Sequence, residues 1–481
     1  MNAVKDVIIK MNIYVLAIVA YVLLLIIAGF AYSRKVKNAA DFFVAGRKLG
    51  PSLLFVTMIA SNIGAGSTLG VAGLAYRNGL SAWWWIAASA VGSLILAFVI
   101  GPMIWRVAKT HNLLTLGDYL EHRYHRNFRG FISLLMAVGS LAIFAGQLMG
   151  IAWILNVVAG TNKLTGILLG ATAVVLYFGT GGLMSVARVN IIEVIVKIAG
   201  FSLAVWFALS YVGGWNGLTA TITPNLSASP ASSTYLTWTG SNLSLILGYF
   251  LMLTPSFFIS PALIGKVYGA NNVRTVRIGT ALNALVQFIF AIVPVLLGIC
   301  AFAIFPSLPS SDMALPIVTK ELMPTGFAAL ALAAIFSAEI SAADAVLYII
   351  TTAFVNDLYK NFCRPNLSDV GMLKISRVTT VVAGLIGVVI ALHLPNIIAA
   401  LSIFYALMSV SLTAPLLFGL FSRHPSTKAA FASSLCGMVM MIYLHFWQDG
   451  KGFWILNDQS VGTLASIIVM LAMMYIYPKK N

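Results

Sequence analysis

The sequence predicts an all-α polytopic membrane protein of about thirteen transmembrane helices, built as a five-plus-five inverted repeat in which spans 2 and 7 are broken. Three observations lead there. Only 42 of the 481 residues are charged, 29 basic and 13 acidic, while 60% are hydrophobic and the mean hydropathy is +0.96. Apolar runs recur at membrane-spanning length along the whole chain. Two of those runs, five apart, are interrupted by residues unsuited to a smooth helix. Globular chains are about a quarter charged, so this composition excludes an ordinary soluble enzyme, a disordered chain and a nucleic-acid binder.

Runs long enough to cross about 30 Å of hydrocarbon lie at 12–32, 52–75, 80–105, 130–158, 164–178, 189–212, 243–265, 278–305, 326–356, 377–394, 397–420, 428–447 and 460–477. Span 1 is too long for a signal peptide, and no small-x-small cleavage site precedes Ser33-Arg34-Lys35. With the N-terminus outside, 22 basic residues fall in inside loops, among them Arg129 and Lys266. Six fall outside (Lys5, Lys10, Arg77, Lys163, Lys320 and Lys451), and Lys197 falls within a span. That bias favours an odd number of spans in a cell membrane (inner or plasma), with the N-terminus out and the C-terminus cytoplasmic. It also explains the net charge of +16 without a polyanionic partner. The chain then reads as one transmembrane domain over 1–481. Spans 2–6 (52–212) form a first repeat and spans 7–11 (243–420) a second, with spans 1, 12 and 13 peripheral. The uncharged stretch 213–242 reads as an external loop. Trp83-Trp84-Trp85 opens span 3 where an interfacial aromatic belt is expected.

Span 2 is interrupted at Ala60-Ser61-Asn62-Ile63-Gly64-Ala65-Gly66-Ser67-Thr68, and span 7 at Pro255-Ser256-Phe257-Phe258-Ile259-Ser260-Pro261. Unwound backbone at membrane depth costs several kcal/mol unless its carbonyls and amides line a site. A glycine cluster or a proline kink accounts for either break alone. Two breaks at matching repeat positions favour a site between them, because an odd offset runs the two copies in opposite directions. Candidate solute contacts are Ser61, Asn62 and Ser67 from span 2 and Ser256, Phe257 and Ser260 from span 7. Gln147 in span 4 joins them, with an interhelical hydrogen bond as its structural alternative. Phe257 is either a lid or plain packing.

Ionisable residues inside a membrane are expensive and therefore functional candidates. The spans hold Glu193, Lys197, Glu339 and Asp344. Glu193 and Lys197 are four residues apart with the acid first, the favourable order for an ion pair, and serve either packing or coupling. Asp344 has no partner in the sequence and lies one helical turn from Ser341. The three cysteines form no disulfide framework or metal pair. The spans contain no HExxH, no paired catalytic carboxylates and no nucleophile–His constellation, so neither an enzyme nor a cofactor is expected.

Several segments, taken in order, resemble the sodium/solute symporter family. They are Asp41-Phe42-Phe43-Val44-Ala45-Gly46-Arg47-Lys48-Leu49-Gly50, Ala60-Ser61-Asn62-Ile63-Gly64, Leu114-Thr115-Leu116-Gly117-Asp118-Tyr119, Gly181-Gly182-Leu183, residues 326–338, and Asn356-Asp357-Leu358-Tyr359. The resemblance implies a leucine-transporter-type fold and alternating access, with sodium driving the uptake of sugars, amino acids, carboxylates or vitamins. It places a sodium site on the carbonyls of Ala60, Ile63 and Ala338 and on hydroxyls at positions 341 and 342. Ser341 matches, whereas position 342 is Ala. Family members with a further sodium site carry Asp where this chain has Asn190, and Asp344 stands nearby instead. Two couplings follow: sodium at Ala60, Ile63, Ala338, Ser341 and Asp344, or proton coupling through Asp344 or Glu193, with the Lys197 ammonium in the cation's place. Where sugar-carrying members use Glu and Gln, this chain has Ile86 and Leu401, which favours an amino-acid-like or carboxylate solute. A channel or sensor on the same fold is the competing class; the short tails speak against a sensor. The expected partners are a small solute, sodium and the bilayer. Oligomeric state is not legible.

Overall fold

The computed structural model describes residues 13–25, 27, 44–178, 183–226, 233–240, 243–422, 425–448, 450 and 452–477. Asp41-Phe42-Phe43, Gly181-Gly182, and Lys5, Lys10, Arg34, Lys35, Lys37, Arg423, Lys451, Lys479 and Lys480 of the charge count lie outside the described residues. Among the described residues there are helices and no strand beyond the single bridge Leu49 to Ala270. Ten helices are long and apolar enough to cross a membrane. Three shorter apolar ones, Ile13–Leu25, Pro51–Asn62 and Lys163–Leu176, fall on predicted spans 1, 2 and 5.

The site is built by twelve helices. Span 2 becomes α1 (Pro51–Asn62) and α2 (Leu69–Asn78), and span 3 opens with α3 (Trp83–Ile95). A short helix α4 (Leu116–Arg123) precedes α5 (Arg126–Ala159), which carries span 4, and α6 (Leu183–Tyr211) carries span 6. Span 7 becomes α7 (Leu243–Phe258) and α8 (Pro261–Tyr268), and span 8 becomes α9 (Val273–Phe290) and α10 (Ile292–Ile304). Span 9 is α11 (Thr325–Thr351), extended by a π-helical stretch Thr352–Cys363, and span 11 is α12 (Ile397–Phe421). Spans 10, 12 and 13 are Asp369–His393, Thr427–Trp447 and Asp458–Ile476.

Local chemistry sets many of these limits. Pro51 starts α1, where its missing N–H costs nothing. Thr115 and Asp118 cap α4 reciprocally. Gly160, in the left-handed region at φ 67°, ends α5. Asn272 and Asn396 cap α9 and α12.

Two expectations change here. The break in span 7 is not at Pro255, which stays inside α7; only Ile259 and Ser260 are non-helical. Proline removes only its own N–H, whereas Pro261 pushes Ser260 out of the helical region, to φ −54° and ψ 121°. The stretch 213–242 is not wholly loop either, because Gly214–Leu226 is a helix whose Leu218 and Ile222 are buried. Broken span 2 packs through α2 on α10 and through α1 on α9 and α6, while α11 packs along α5 and α6. At the α2–α10 contact, the backbone of Gly298 lies so close to the Ala72 carbonyl that any Cβ there would collide with it.

Candidate functional site

A cavity of about 90 Å³ lies between the two breaks, and all seven candidate solute contacts line it: Ser61, Asn62, Ser67, Gln147, Ser256, Phe257 and Ser260. Several are already engaged. Ser67 Oγ donates to the Asn62 carbonyl at 2.6 Å, and Asn62 Nδ2 donates to Asn283 Oδ1 at 3.0 Å. Gln147 Oε1 accepts from the Ala65 N–H at 3.0 Å and so ties α5 to the unwound segment. Ser256 Oγ donates to the carbonyls of Met252 at 2.7 Å and Tyr405 at 2.8 Å. The lining also includes the apolar and aromatic side chains of Trp85, Ile86, Leu401, Phe404 and Tyr405, with Leu401 packed against Gly66 of the break.

Trp85 corrects the belt reading of the three tryptophans. Trp83 and Trp84 are half-buried, and Trp84 Nε1 donates to the Trp238 carbonyl at 2.7 Å. Trp85 is buried and turned inward, its ring 6.3 Å from Tyr405 and 5.2 Å from Tyr249. Consecutive helical positions are 100° apart, so a run of three tryptophans cannot keep one face.

Behind the polar wall lies a charged cluster. From α6, Lys197 Nζ donates to the Ala60 carbonyl at 3.2 Å and stands 3.8 Å from Glu193 Oε2; both side chains are wholly buried. From α8, Lys266 Nζ donates to the Thr57 carbonyl at 2.9 Å and to the Ser61 hydroxyl. Lys266 is thus no inside-loop lysine. It is 6% exposed, one residue past the predicted end of span 7, because α8 resumes the broken span. Arg129, also assigned to a loop, is buried on the first turn of α5. Glu339, about which the sequence decided nothing, accepts from the Thr68 hydroxyl at 2.9 Å and so joins α11 to the break.

The five expected cation ligands do not form one empty cage. The Ala60 carbonyl faces Lys197. Ser341 hydrogen-bonds Glu193, and Asp344 lies in the field of Lys266 and Glu193. Ala338 borders the break, its carbonyl 3.8 Å from where a Cβ on Gly64 would lie, and Ile63 is buried in the break itself. The Ala342 methyl packs directly against Gly64. Asn190 is buried on α6. Among the described residues, no group of three or more His, Cys, Asp or Glu side chains has metal-binding geometry. A monovalent cation here would rely on backbone oxygens and single carboxylates.

A second cluster, buried at Arg129 and Asp357 and partly exposed at Asp118 and Glu121, joins α4, α5 and the π-helical end of α11. Arg129 donates through Nη1 to Glu121 at 2.7 Å and through Nε to Asp357 at 3.1 Å; its Nη2 reaches Asp357 and lies 2.9 Å from Asp118. Ser133 and Asn356 also donate to Asp357, at 3.3 Å and 3.0 Å.

The profile of the Sodium:solute symporter family matches residues 42–437. A sodium/glucose cotransporter of Vibrio parahaemolyticus is 25% identical, over 94% of this chain and 88% of the relative. The sodium/sialic acid symporter NanT of Aliivibrio fischeri is also 25% identical, over 94% of this chain and 91% of its own. The solved structure of a Na+-coupled sialic acid symporter, substrate-bound and outward-open, superposes with a TM-score of 0.81 at 21% identity, covering 97% of this chain and 99% of the other. That likeness shows the fold.

Proposed function

This chain belongs to the sodium:solute symporter family; it is an integral membrane protein and a cation-coupled secondary transporter, not an enzyme, and we propose that sodium drives its symport of a small amino-acid-like or carboxylate solute. One observation carries the solute class: the Lys266 ammonium stands on Ser61 of a cavity lining that otherwise offers serines, amides and apolar side chains. A sugar site needs many paired donors and acceptors, since each unmatched hydroxyl leaves a buried polar group unpaired. Ile86 and Leu401 offer none, and Ser256, Asn62 and Gln147 are already bonded within the protein. Lys266, reached through Ser61, supplies positive charge suited to a carboxylate, and the amino-terminal end of α8 at Ser260 opens into the same space.

The cluster also supports cation coupling. Two ammonium groups, Lys197 and Lys266, face three carboxylates, Glu193, Glu339 and Asp344. With all five ionised, one negative charge is left over in a place where unbalanced charge is costly. A single sodium restores balance, and Asp344, one helical turn from Ser341 on α11, is the carboxylate we assign to that ion. Alternating access then follows from rocking spans 2–6 against spans 7–11 as inverted repeats around the breaks, with the N-terminus outside and the C-terminus in the cytoplasm.

Counterflow of a labelled solute in proteoliposomes, after a thermal-shift screen of amino acids, carboxylates and sugars with sodium or choline, tests this reading. The expected result is a sodium-dependent stabilising hit that exchanges saturably. Exchange that survives choline but collapses with a protonophore removes sodium; conductance without saturation removes the carrier.

A further inference from the structure

The break in span 2 frees backbone oxygens at membrane depth, and the structure shows what one of them binds. In an unbroken helix the Ala60 carbonyl would accept from the Gly64 N–H. Here the Gly64 N–H turns to Ser67 Oγ at 3.2 Å, and the Ala60 carbonyl takes the Lys197 ammonium. An unwound helix offers such carbonyls to a cation, and this one already has a cation, covalently part of the chain.

We propose that the Lys197 ammonium is the resident cation of this break, a tethered charge that fills the position a mobile sodium would otherwise take at Ala60. Three features agree with it. The Lys197 side chain is wholly buried, so its charge cannot reach water by a rotamer change alone. Its surroundings are arranged for a fixed positive charge: Glu193 on its own helix at 3.8 Å, Ser341 of α11 holding Glu193, and Glu339 of α11 across the break. The residue beside Ser341 is Ala342, whose methyl lies against Gly64, so this side of the break presents carbon where an oxygen ligand for a sodium could stand. Lys266 of α8, on the Thr57 carbonyl, adds a second positive charge nearby and opposes a third. A sodium on the same oxygen as the Lys197 ammonium is disfavoured for the same reason.

The proposal deepens the symport reading: the coupling sodium of that reading binds beside Asp344, and the Ala60 position is closed to it. The experiment counts radioactive sodium bound per purified chain at fixed pH, in the wild type, in Ala342→Ser, and in Lys197→Met with Glu193→Gln and Ala342→Ser together. The triple variant removes the ammonium with its partner's charge and restores a hydroxyl. The wild type and Ala342→Ser are expected to bind the same number of ions with half-saturation within about twofold, and the folded triple variant one ion more. Ala342→Ser alone adding an ion, or tightening half-saturation about tenfold, overturns the proposal. So does a triple variant that elutes as the native species, still binds solute and gains no ion. A wild type that binds no sodium, beside a triple variant that binds one, upholds the tethered ammonium and refutes sodium coupling, so the two readings fail separately.

Discussion

The molecule holds two clusters in which cations meet carboxylates, and they are built differently. Around Arg129 a planar guanidinium meets three carboxylates through separate donors, and Ser133 and Asn356 complete Asp357. Every arm has a fixed direction, so the cluster ties α4, α5 and the end of α11 in one geometry. At the break in span 2 the cations are lysines, and their closest contacts are backbone carbonyls and a serine, not carboxylates. A lysine ammonium is a point charge on a flexible stem, able to give up one oxygen for another. The fork locks; of the two point charges Lys197 stays on its carbonyl, while Lys266, on a serine of the cavity, is placed to trade partners.

Breaking the fork should have the largest effect. Removing one member of a buried charge pair costs about 3–5 kcal/mol because the partner is left charged and alone. Arg129→Ala is expected to lower thermal stability in detergent by that order. Arg129→Lys keeps the charge and loses the fork, so it should recover less than half of the loss. A lysine variant that melts with the wild type would show that charge alone, not geometry, holds this cluster.

The point-charge side predicts a different signature. Lys266→Met removes a charged hydrogen bond to Ser61, an interaction worth about 1.5–3 kcal/mol. Solute affinity should fall about ten- to a hundredfold in the thermal-shift or counterflow titration, with a smaller change in stability than for Arg129→Ala. If solute affinity is unchanged while stability falls as far as in the arginine variant, the two clusters do the same work and the contrast fails.

How much of this was legible in the sequence depends on what each residue's neighbours are. The broken span 2 and five of the seven cavity residues, Ser61, Asn62, Ser67, Ser256 and Ser260, could be read because glycine, serine and asparagine inside an apolar run are costly wherever the chain goes. Lys266 could not, because one residue past an apolar run looks the same whether the chain leaves the membrane or, as at α8, resumes a helix inside it. A signal was present in Ser260-Pro261, which restarts a helix and so carries the span at least one more turn. Glu339 was unreadable for another reason: its partner Thr68 is 271 positions away, and no local spacing encodes a contact between repeats. Trp85 was hidden by its neighbours, since three tryptophans in a row give no local sign of which one turns inward.

A lone carboxylate offers the finest test of what charge pairing does in this fold. Asp312 lies on a short turn, Ser311–Met313, outside the spans, buried and without an ion-pair partner among the described residues, but with the Ile397 N–H at the start of α12 donating to Oδ2 at 3.0 Å. Burial pushes its carboxyl up to about 6, and the Ile397 N–H with the more distant Arg77 and Lys163 only partly offsets this. The folded protein therefore holds this proton more tightly than the unfolded chain, whose reference value is 3.8. The sign follows: acidification from above about 6 to below about 4 favours the folded state, and at pH 7.5 the ionised carboxylate costs stability. Asp312→Asn keeps an acceptor for Ile397 and removes the charge. It is expected to raise the Tm at pH 7.5 by about 2 °C, to raise it less near pH 4.5, and to leave it unchanged near pH 3, where Asp312 is protonated in the folded and unfolded states alike. A variant that loses stability at pH 7.5 would mean that the helix terminus and the distant cations outweigh burial, and that even a carboxylate without a close partner is held in this fold as an anion.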